Sequence, residues 1–428
     1  MSDSLRLGIA GLGTVGIGVV RIVQQHAELI ALRAGRRIEI TAVSARDRTR
    51  NRDADLSGYA WETDPVALAR REDVDLVIEV MGGSNGAAKD TTEAALAAGK
   101  DVVSANKALL ALHGQTLAEA AEANGRVIRF EAAVAGGIPV IKALTEGLSG
   151  NQIRRVMGVM NGTCNYILTR MQSAGLPYET VFEEARQLGY LEADPNLDVG
   201  GIDAGHKLSL LAAIAFGTRV DFGAMELQGI GQISIDDIRL AEDMGYRIKL
   251  LGVAQMTGRG LEQRMSPCLV PAQSPLGQLE GGTNMVVLEG DSVGQIFLRG
   301  AGAGSGPTAS AVMADVIDIA RGIRIPMFGI PAAQLAAASP AKVSAPAAHY
   351  LRMVLLDKPG ALAKVATALG EAGVSINRMR QYGHESVEAP VLIVTHKTTR
   401  DAIDHALSRM RQTDVVVGEP VALRIEDI

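Results

Sequence analysis

Short apolar runs alternate with helical periodicities along the first third of the chain. Residues 5–10, 38–43, 75–80, 101–104 and 127–130 read as buried strands, and residues 14–32, 91–98 and 115–123 as helices. Strands and helices alternating at this spacing predict a parallel, doubly wound sheet. The rhythm changes from about residue 131. Strands over 153–160, 249–255, 285–288 and 294–298 mix with helices over 166–171, 202–216 and 235–246. That pattern predicts an α+β domain, with a helix over 308–321 placed to pack back on the first. Residues 322–348 lack periodicity and carry Pro326, Pro331, Pro340 and Pro346, which marks a linker. Beyond it, strands over 350–356, 374–381, 391–395 and 415–425 and helices over 361–372 and 400–411 give a βαββαβ, ferredoxin-like order. The expected division is therefore 1–130 (with 300–321 packing back on it), 131–321, a linker over 322–348, and 349–428.

Composition narrows the class. The chain has 428 residues, 47% of them apolar, which is enough for more than one core. Its formal charge is −6 with basic residues dispersed, which argues against nucleic acid. No apolar run reaches the roughly 20 residues of a membrane helix. The first six residues lead straight into a strand, so no signal peptide is expected. Cys164 and Cys268 are the only cysteines and form no CxxC pair, so a cytoplasmic setting is expected, without disulfides or a zinc site.

The chemistry begins at Gly11-Leu12-Gly13-Thr14-Val15-Gly16. This GxGxxG follows a strand and opens a helix, the context a dinucleotide fingerprint requires. Gly11 allows the tight turn, Gly13 lets backbone approach a pyrophosphate, and Gly16 lets helix and strand close up. The helix start offers free N–H groups to phosphate. After the second strand comes Ser44-Ala45-Arg46-Asp47-Arg48. Ser44 and Arg46 suit a 2′-phosphate, which favours NADP, while Asp47 keeps NAD open.

Ligands in such folds lie beyond the carboxyl ends of the strands. Met81-Gly82-Gly83-Ser84 and Ser104-Ala105-Asn106-Lys107 occupy that place, with Lys107 the sole cation of its loop. Further on, the carboxylates Glu192, Asp194, Asp198 and Asp203 precede Lys207. Asp203 and Lys207 are four apart on a helix, hence on one face. A lysine beside a carboxylate suits proton donation to an aldehyde oxygen that receives hydride. Glu192 or Asp194 suits a substrate ammonium. His206 reads as bland, pointing elsewhere than Lys207. Glu131 and the glycine turn after it offer oxygen ligands for a monovalent cation, although a plain turn explains the same residues.

In order along the chain, GLGTVG (11–16), SANK (104–107), EAAVAGGIP (131–139), NGTCNYIL (161–168), GYLEADPNLD (189–198), DAGHKL (203–208) and GAGAGSGPTASAV (300–312) resemble the homoserine dehydrogenase family. The resemblance implies NADP(H)- or NAD(H)-dependent interconversion of L-aspartate 4-semialdehyde and L-homoserine, a branch step toward threonine, methionine and isoleucine. It implies Lys207 as proton donor, Asp203 as its partner, and Glu192 on the substrate amino group, with Asp194 kept as a second substrate-side candidate from the residues themselves. Lys107 becomes a substrate and cofactor lysine. Gly304 becomes a second cofactor contact, which joins the expected contacts Gly11, Gly13, Thr14, Val15, Gly16, Arg46 and Gly83 of the first domain. Glu131, Val134, Gly136 and Ile138 become a sodium site, the last three through carbonyls. Two stretches depart from the family pattern. Ser84-Asn85-Gly86-Ala87 lacks the usual proline, and Gly205-His206 stands where small apolar residues are frequent.

The tail resembles an ACT domain, through Asp357-Lys358-Pro359-Gly360 and then Asn377 and Gln381. Gly360, Asn377 and Gln381 are the implied regulatory residues, L-threonine the expected effector, and a homodimer or homotetramer the expected assembly. Removing the residues after about 348 is expected to leave activity that threonine no longer inhibits. The rival readings are a reductase of another amino-acid semialdehyde and a non-catalytic amino-acid sensor.

Overall fold

The computed structural model describes residues 4–192, 194–341, 344–382 and 387–428. The chain start, Ala193 of the 189–198 motif and two positions of the 322–348 segment lie outside the described residues. Strands β1 (Ser4–Ala10), β2 (Arg37–Ser44), β3 (Ala60–Glu62), β4 (Leu76–Glu79), β5 (Asp101–Ser104) and β6 (Ile128–Arg129) form one parallel sheet. Their order is β3-β2-β1-β4-β5-β6. Helices cover both faces, so β4 and β5 are buried throughout, around the apolar Leu76-Val77-Ile78 and Val102-Val103. The order reverses between β1 and β4, which opens the crevice where such sheets bind ligands.

Two local features differ from the sequence reading. The edge strand β3 is three half-buried residues, too short to carry a period. The helix expected over 14–32 is two helices, Thr14–Gln25 and Ala27–Ala34, bent by 87° around His26. Among the described residues no single helix is long and apolar enough to cross a membrane. Helix Ser305–Ala320 returns to the first sheet, where Ala309, Val312, Val316 and Ile319 share a core with Leu7, Ile9, Val19 and Val20.

The second sheet holds β7 (Ile153–Val159), β8 (Glu226–Leu227), β9 (Tyr246–Thr257), β10 (Gly260–Pro271), β11 (Thr283–Gly290), β12 (Gly294–Ala301), β13 (His349–Leu356), β14 (Ile376–Gln381), β15 (Glu388–Thr395) and β16 (Val416–Ile425). Its main path runs β12-β11-β7-β9-β10-β16-β13-β15-β14, with β8 beside β10. Helix Ile202–Phe216 lies against this sheet and is buried from Asp203 to Ala213.

The sheet does not stop at the C-terminal unit. β16 pairs in parallel with β10, Cys268 opposite Arg424 and Leu269 opposite Ile425. Side chains alternate across β13. Leu351, Met353 and Leu355 share a core with the C-terminal unit's own helices, Ala361–Glu371 and Arg400–Arg411. Tyr350 joins the other core, with Ile238, Ala241, Leu392 and Val394. On that side Arg352 binds Asp237, Arg380 binds Asp243 at 2.6 Å, and Arg378 donates to Met244 O at 3.0 Å. One face of the C-terminal sheet thus packs on its own helices, and the other meets helix Ile235–Asp243 around β13, while the edge strand β14 stays largely exposed.

Candidate active site

The dinucleotide turn is built by sterics. Gly11 has φ 109° and donates its N–H to Ser44 O at 2.9 Å. A Cβ on Gly16 would lie 1.9 Å from Gly11 O, so only glycine lets the turn close. A Cβ on Gly13 would meet nothing within 4 Å. Helix Thr14–Gln25 begins there without a side-chain cap, and its first N–H groups are available to an anion. Ser305 Oγ donates to Thr14 O at 2.8 Å, which brings Gly304 (φ 117°) and a second helix start alongside. Beyond β2, Arg46 is exposed, and Arg48 and Arg52 lie 5.8 and 5.5 Å over the Trp61 ring. The Asp47 carboxylate accepts from Thr49 Oγ1 and Thr49 N at 2.7 and 2.8 Å, bonds that hold its pKa below the usual range. Those bonds occupy one of its oxygens within the loop.

Two loops after β4 and β5 are pinned by a residue that the sequence reading passed over. Glu79, fully buried, accepts from Met81 N at 2.9 Å and Ser104 Oγ at 2.7 Å. Burial pushes its pKa up against those bonds. Asn106 Nδ2 donates to Gly83 O at 2.7 Å and its Oδ1 caps the helix Lys107–Ala123. That helix starts well before the predicted 115, so Lys107 is its first residue. The chain bends at Gly82 and Gly83 before the Ser84–Ala87 stretch and at Gly86 within it, all with positive φ, and Asn85 Oδ1 lies 2.8 Å from His113 Nε2.

Between these loops and the second domain lies a cleft with two lobes, of about 560 and 490 Å³. Val15, Ala105, Lys107, Glu192 and Asp203 line both. Asp203 is the centre. Its Oδ2 accepts from Lys207 Nζ at 2.6 Å and its Oδ1 pairs with Lys107 Nζ at 2.9 Å. Lys207 also donates to Met160 O at 2.9 Å, leaving one of its three N–H bonds for a ligand. Glu192 Oε1 stands 4.0 Å from Lys107. Burial penalises the Asp203 carboxylate, but the charges and hydrogen bonds of Lys207 and Lys107 hold its pKa far below normal. Burial likewise opposes the Lys107 charge, and Asp203 outweighs it, raising the pKa. Burial raises Glu192, with Lys107 opposing.

Other predicted residues are placed variously. Asp194 does not line the cleft; its carboxylate caps the short helix Pro195–Val199, accepting from Asn196 N at 3.1 Å. Glu131 is buried and accepts from Ile141 N and Lys142 N at 2.9 and 2.8 Å. Burial, then the nearby Asp315 charge, push its pKa up to about 7. Val134 and Ile138 are buried beside it, and Ala135 and Gly136 turn the chain with φ 57° and 54°. Outside the lining of the cleft, Gly360 opens helix Ala361–Glu371 with φ 85°, and Asn377 and Gln381 are exposed on the edge strand β14. His206 lines the smaller lobe, contrary to the sequence reading.

Asn161 and Asp198 were given no role from sequence, yet both line the larger lobe. Asn161 caps helix Gly162–Ala174 and its Nδ2 donates to Asp198 Oδ1 at 3.0 Å. Asp198 Oδ2 accepts Glu192 N at 3.0 Å, and this fixes the loop that carries Glu192. Asn161 before an apolar helix was a readable N-cap signal; the Asp198 contact spans elements and left no local trace.

A nucleotide turn facing a lysine–carboxylate centre describes a dehydrogenase site, and comparison with known proteins agrees. Residues 139–317 match the family model for homoserine dehydrogenase, 11–131 its NAD-binding domain, and 349–414 the ACT domain. The chain is 41% identical over 432 residues to homoserine dehydrogenase of Neisseria gonorrhoeae, covering 99% of each. It superposes on the crystal structure of a homoserine dehydrogenase from Thiobacillus denitrificans with TM-score 0.93 at 39% identity, covering 99% of this chain and 98% of that one. A hyperthermophilic archaeal homoserine dehydrogenase in complex with NADPH matches 74% of this chain and 97% of its own at TM-score 0.63 and 25% identity. The chain belongs to the homoserine dehydrogenase family, NAD(P)-dependent oxidoreductases, and carries a C-terminal ACT domain.

Proposed function

We propose that Lys207 passes the proton in the interconversion of L-aspartate 4-semialdehyde and L-homoserine, on a pathway to threonine, methionine and isoleucine. The observation that carries this is the Asp203 carboxylate shared by Lys207 and Lys107 where both lobes meet. Asp203 orients Lys207 and offsets the charge of both lysines. The two ammoniums face the oxygen on which alkoxide character develops. Glu192 takes the substrate ammonium. A bound nicotinamide supplies or accepts the hydride. The open N–H groups at Thr14 and the clearance at Gly13 fit its pyrophosphate. The exposed Arg46, with Arg48 and Arg52 near Trp61, favours NADP, and the NADPH complex of the archaeal relative supports that preference.

A monovalent cation, sodium by preference, belongs at Glu131 and the carbonyls of Val134, Gly136 and Ile138. The donors fit: all are hard oxygens, and each Glu131 oxygen accepts one N–H and keeps a lone pair. L-Threonine acts at Gly360, Asn377 and Gln381. The exposed edge β14 suits pairing with a second copy, as a homodimer or a homotetramer. The two cysteines are unpaired, which supports a cytoplasmic setting.

The test is homoserine oxidation with NAD and with NADP, each with and without threonine. Lys207→Ala should lower kcat by about 10²–10⁴-fold, the range for a general acid, while NADPH affinity stays within about 2-fold. Near-normal turnover removes Lys207 from the mechanism.

A further inference from the structure

The reaction as described leaves Gly205-His206 unused, although His206 lines the cleft. A Cβ on Gly205 would come within 3.0 Å of Phe222 Cε2 and Leu227 Cδ2, so glycine is what lets the 222–227 segment close on helix Ile202–Phe216. Phe222 then lies 4.3 Å from the His206 ring, centroid to centroid. The two residues thus form a unit, in which glycine admits an aromatic ring and that ring holds the imidazole. His206 is only 8% exposed, yet it lines the smaller lobe with Gly82, Gly83, Ser84, Asn106 and Lys107. Among the described residues neither ring nitrogen has a hydrogen-bond partner, and neither is sealed in the interior. The residue's open side lines the cleft. Burial pushes the imidazole's pKa down; Asp203 opposes this, and Lys107 and Lys207 add to it. The neutral ring offers one donor and one acceptor.

The dinucleotide's path identifies what meets that ring. With the pyrophosphate at Gly13 and Thr14, one nucleoside extends over β2 toward Arg46. The other crosses the ends of β4 and β5, past Gly83 and Lys107, to bring its reactive ring to Lys207. A ribose with two hydroxyls lies between the pyrophosphate and that ring. We infer that His206 hydrogen-bonds a hydroxyl of the nicotinamide-side ribose, and so positions that half of the cofactor. This rests on the NAD(P) reading of the cleft.

The test is calorimetric binding of two fragments to the full chain. 2′-Phospho-ADP-ribose contains that ribose and no nicotinamide, whereas 2′,5′-ADP lacks it. His206→Phe keeps a ring against Phe222 and removes both nitrogens; His206→Gln keeps a donor and an acceptor. His206→Phe should weaken 2′-phospho-ADP-ribose about 3- to 10-fold, the worth of one neutral hydrogen bond, and leave 2′,5′-ADP unchanged. His206→Gln should recover most of the loss. Equal weakening of both fragments, or no change in either, overturns the inference. So does a wild-type chain that gains no affinity from the added ribose. If the 2′-phosphate is not recognised, ADP-ribose and ADP carry the same comparison, so failure of the NADP preference is seen separately.

Discussion

Asp203 accepts from two lysines, so neutralising it strands two cations at once. Asp203→Asn should cost about 3 kcal/mol of stability, as expected when a buried charge pair loses one partner. The sign of its pH dependence follows from its depressed pKa. Its stabilisation is present above the ordinary carboxylate pKa and is lost as the pH falls toward the folded value. Acid unfolding of Asp203→Asn should therefore be shallower than that of wild type, measured by thermal melts across acidic pH. Turnover reports on Lys107. Asp203 raises its pKa, so the alkaline limb of the pH–kcat/KM profile should move to lower pH in the variant. An unmoved limb would show that Lys107 does not govern it. The Asp203–Lys207 half of this centre was legible, since i,i+4 spacing on a helix is a local property. The Lys107–Asp203 half was not, because those residues come from separate domains.

At the scale of elements, the fingerprint turn separates folding from binding. Gly16→Ala places a methyl group against Gly11 O and should prevent the turn from closing, so both melting temperature and cofactor affinity fall. Gly13→Ala meets nothing in the protein, and Gly13 has φ −80°, which alanine adopts freely. It should leave the melting temperature within about 2 °C, the shift of a surface substitution worth less than 0.5 kcal/mol, while NADPH affinity drops at least about 10-fold because the backbone approach is blocked. Equal affinity for NADPH would place the pyrophosphate elsewhere. The loop after Glu131 gives a parallel test. Melting temperature should rise with sodium chloride over choline chloride in wild type and not in Glu131→Gln, at matched ionic strength. Strands β4 and β5 were readable because burial on both faces leaves their centres apolar, and β2 because Ile38 and Ile40 alternate with the exposed Arg37 and Glu39. β3, β10 and helix Tyr178–Gln187 were missed. β3 is short, and β10 mixes Glu262, Gln263 and Arg264 into a buried strand, hiding its period behind one salt bridge within the strand and one to Glu426.

At the scale of the whole molecule, the ACT domain shares a sheet with the second domain, and this changes how its regulatory role is tested. Cutting the chain near 348 would strip β16 from β10, uncover Ile238 and Ala241, and leave the buried carboxylate of Asp237 without Arg352. Lost activity in that truncation would then report misfolding, not regulation. Point variants are cleaner: Asn377→Ala with Gln381→Ala alters exposed side chains of an edge strand. The pair should keep wild-type turnover and lose threonine inhibition in steady-state assays; unchanged inhibition removes these two residues from the effector site.

The sequence by itself determined the dinucleotide domain, the helix bearing Asp203 and Lys207, and the βαββαβ order of the tail. Each rests on a periodicity or a turn within a few residues, where local geometry dictates the pattern. Only the tertiary structure decided that Lys107 reaches Asp203, that Asp198 holds the Glu192 loop, that His206 opens on the cleft, and that β16 joins β10. Those contacts join segments far apart in the chain, and no spacing between neighbours encodes them.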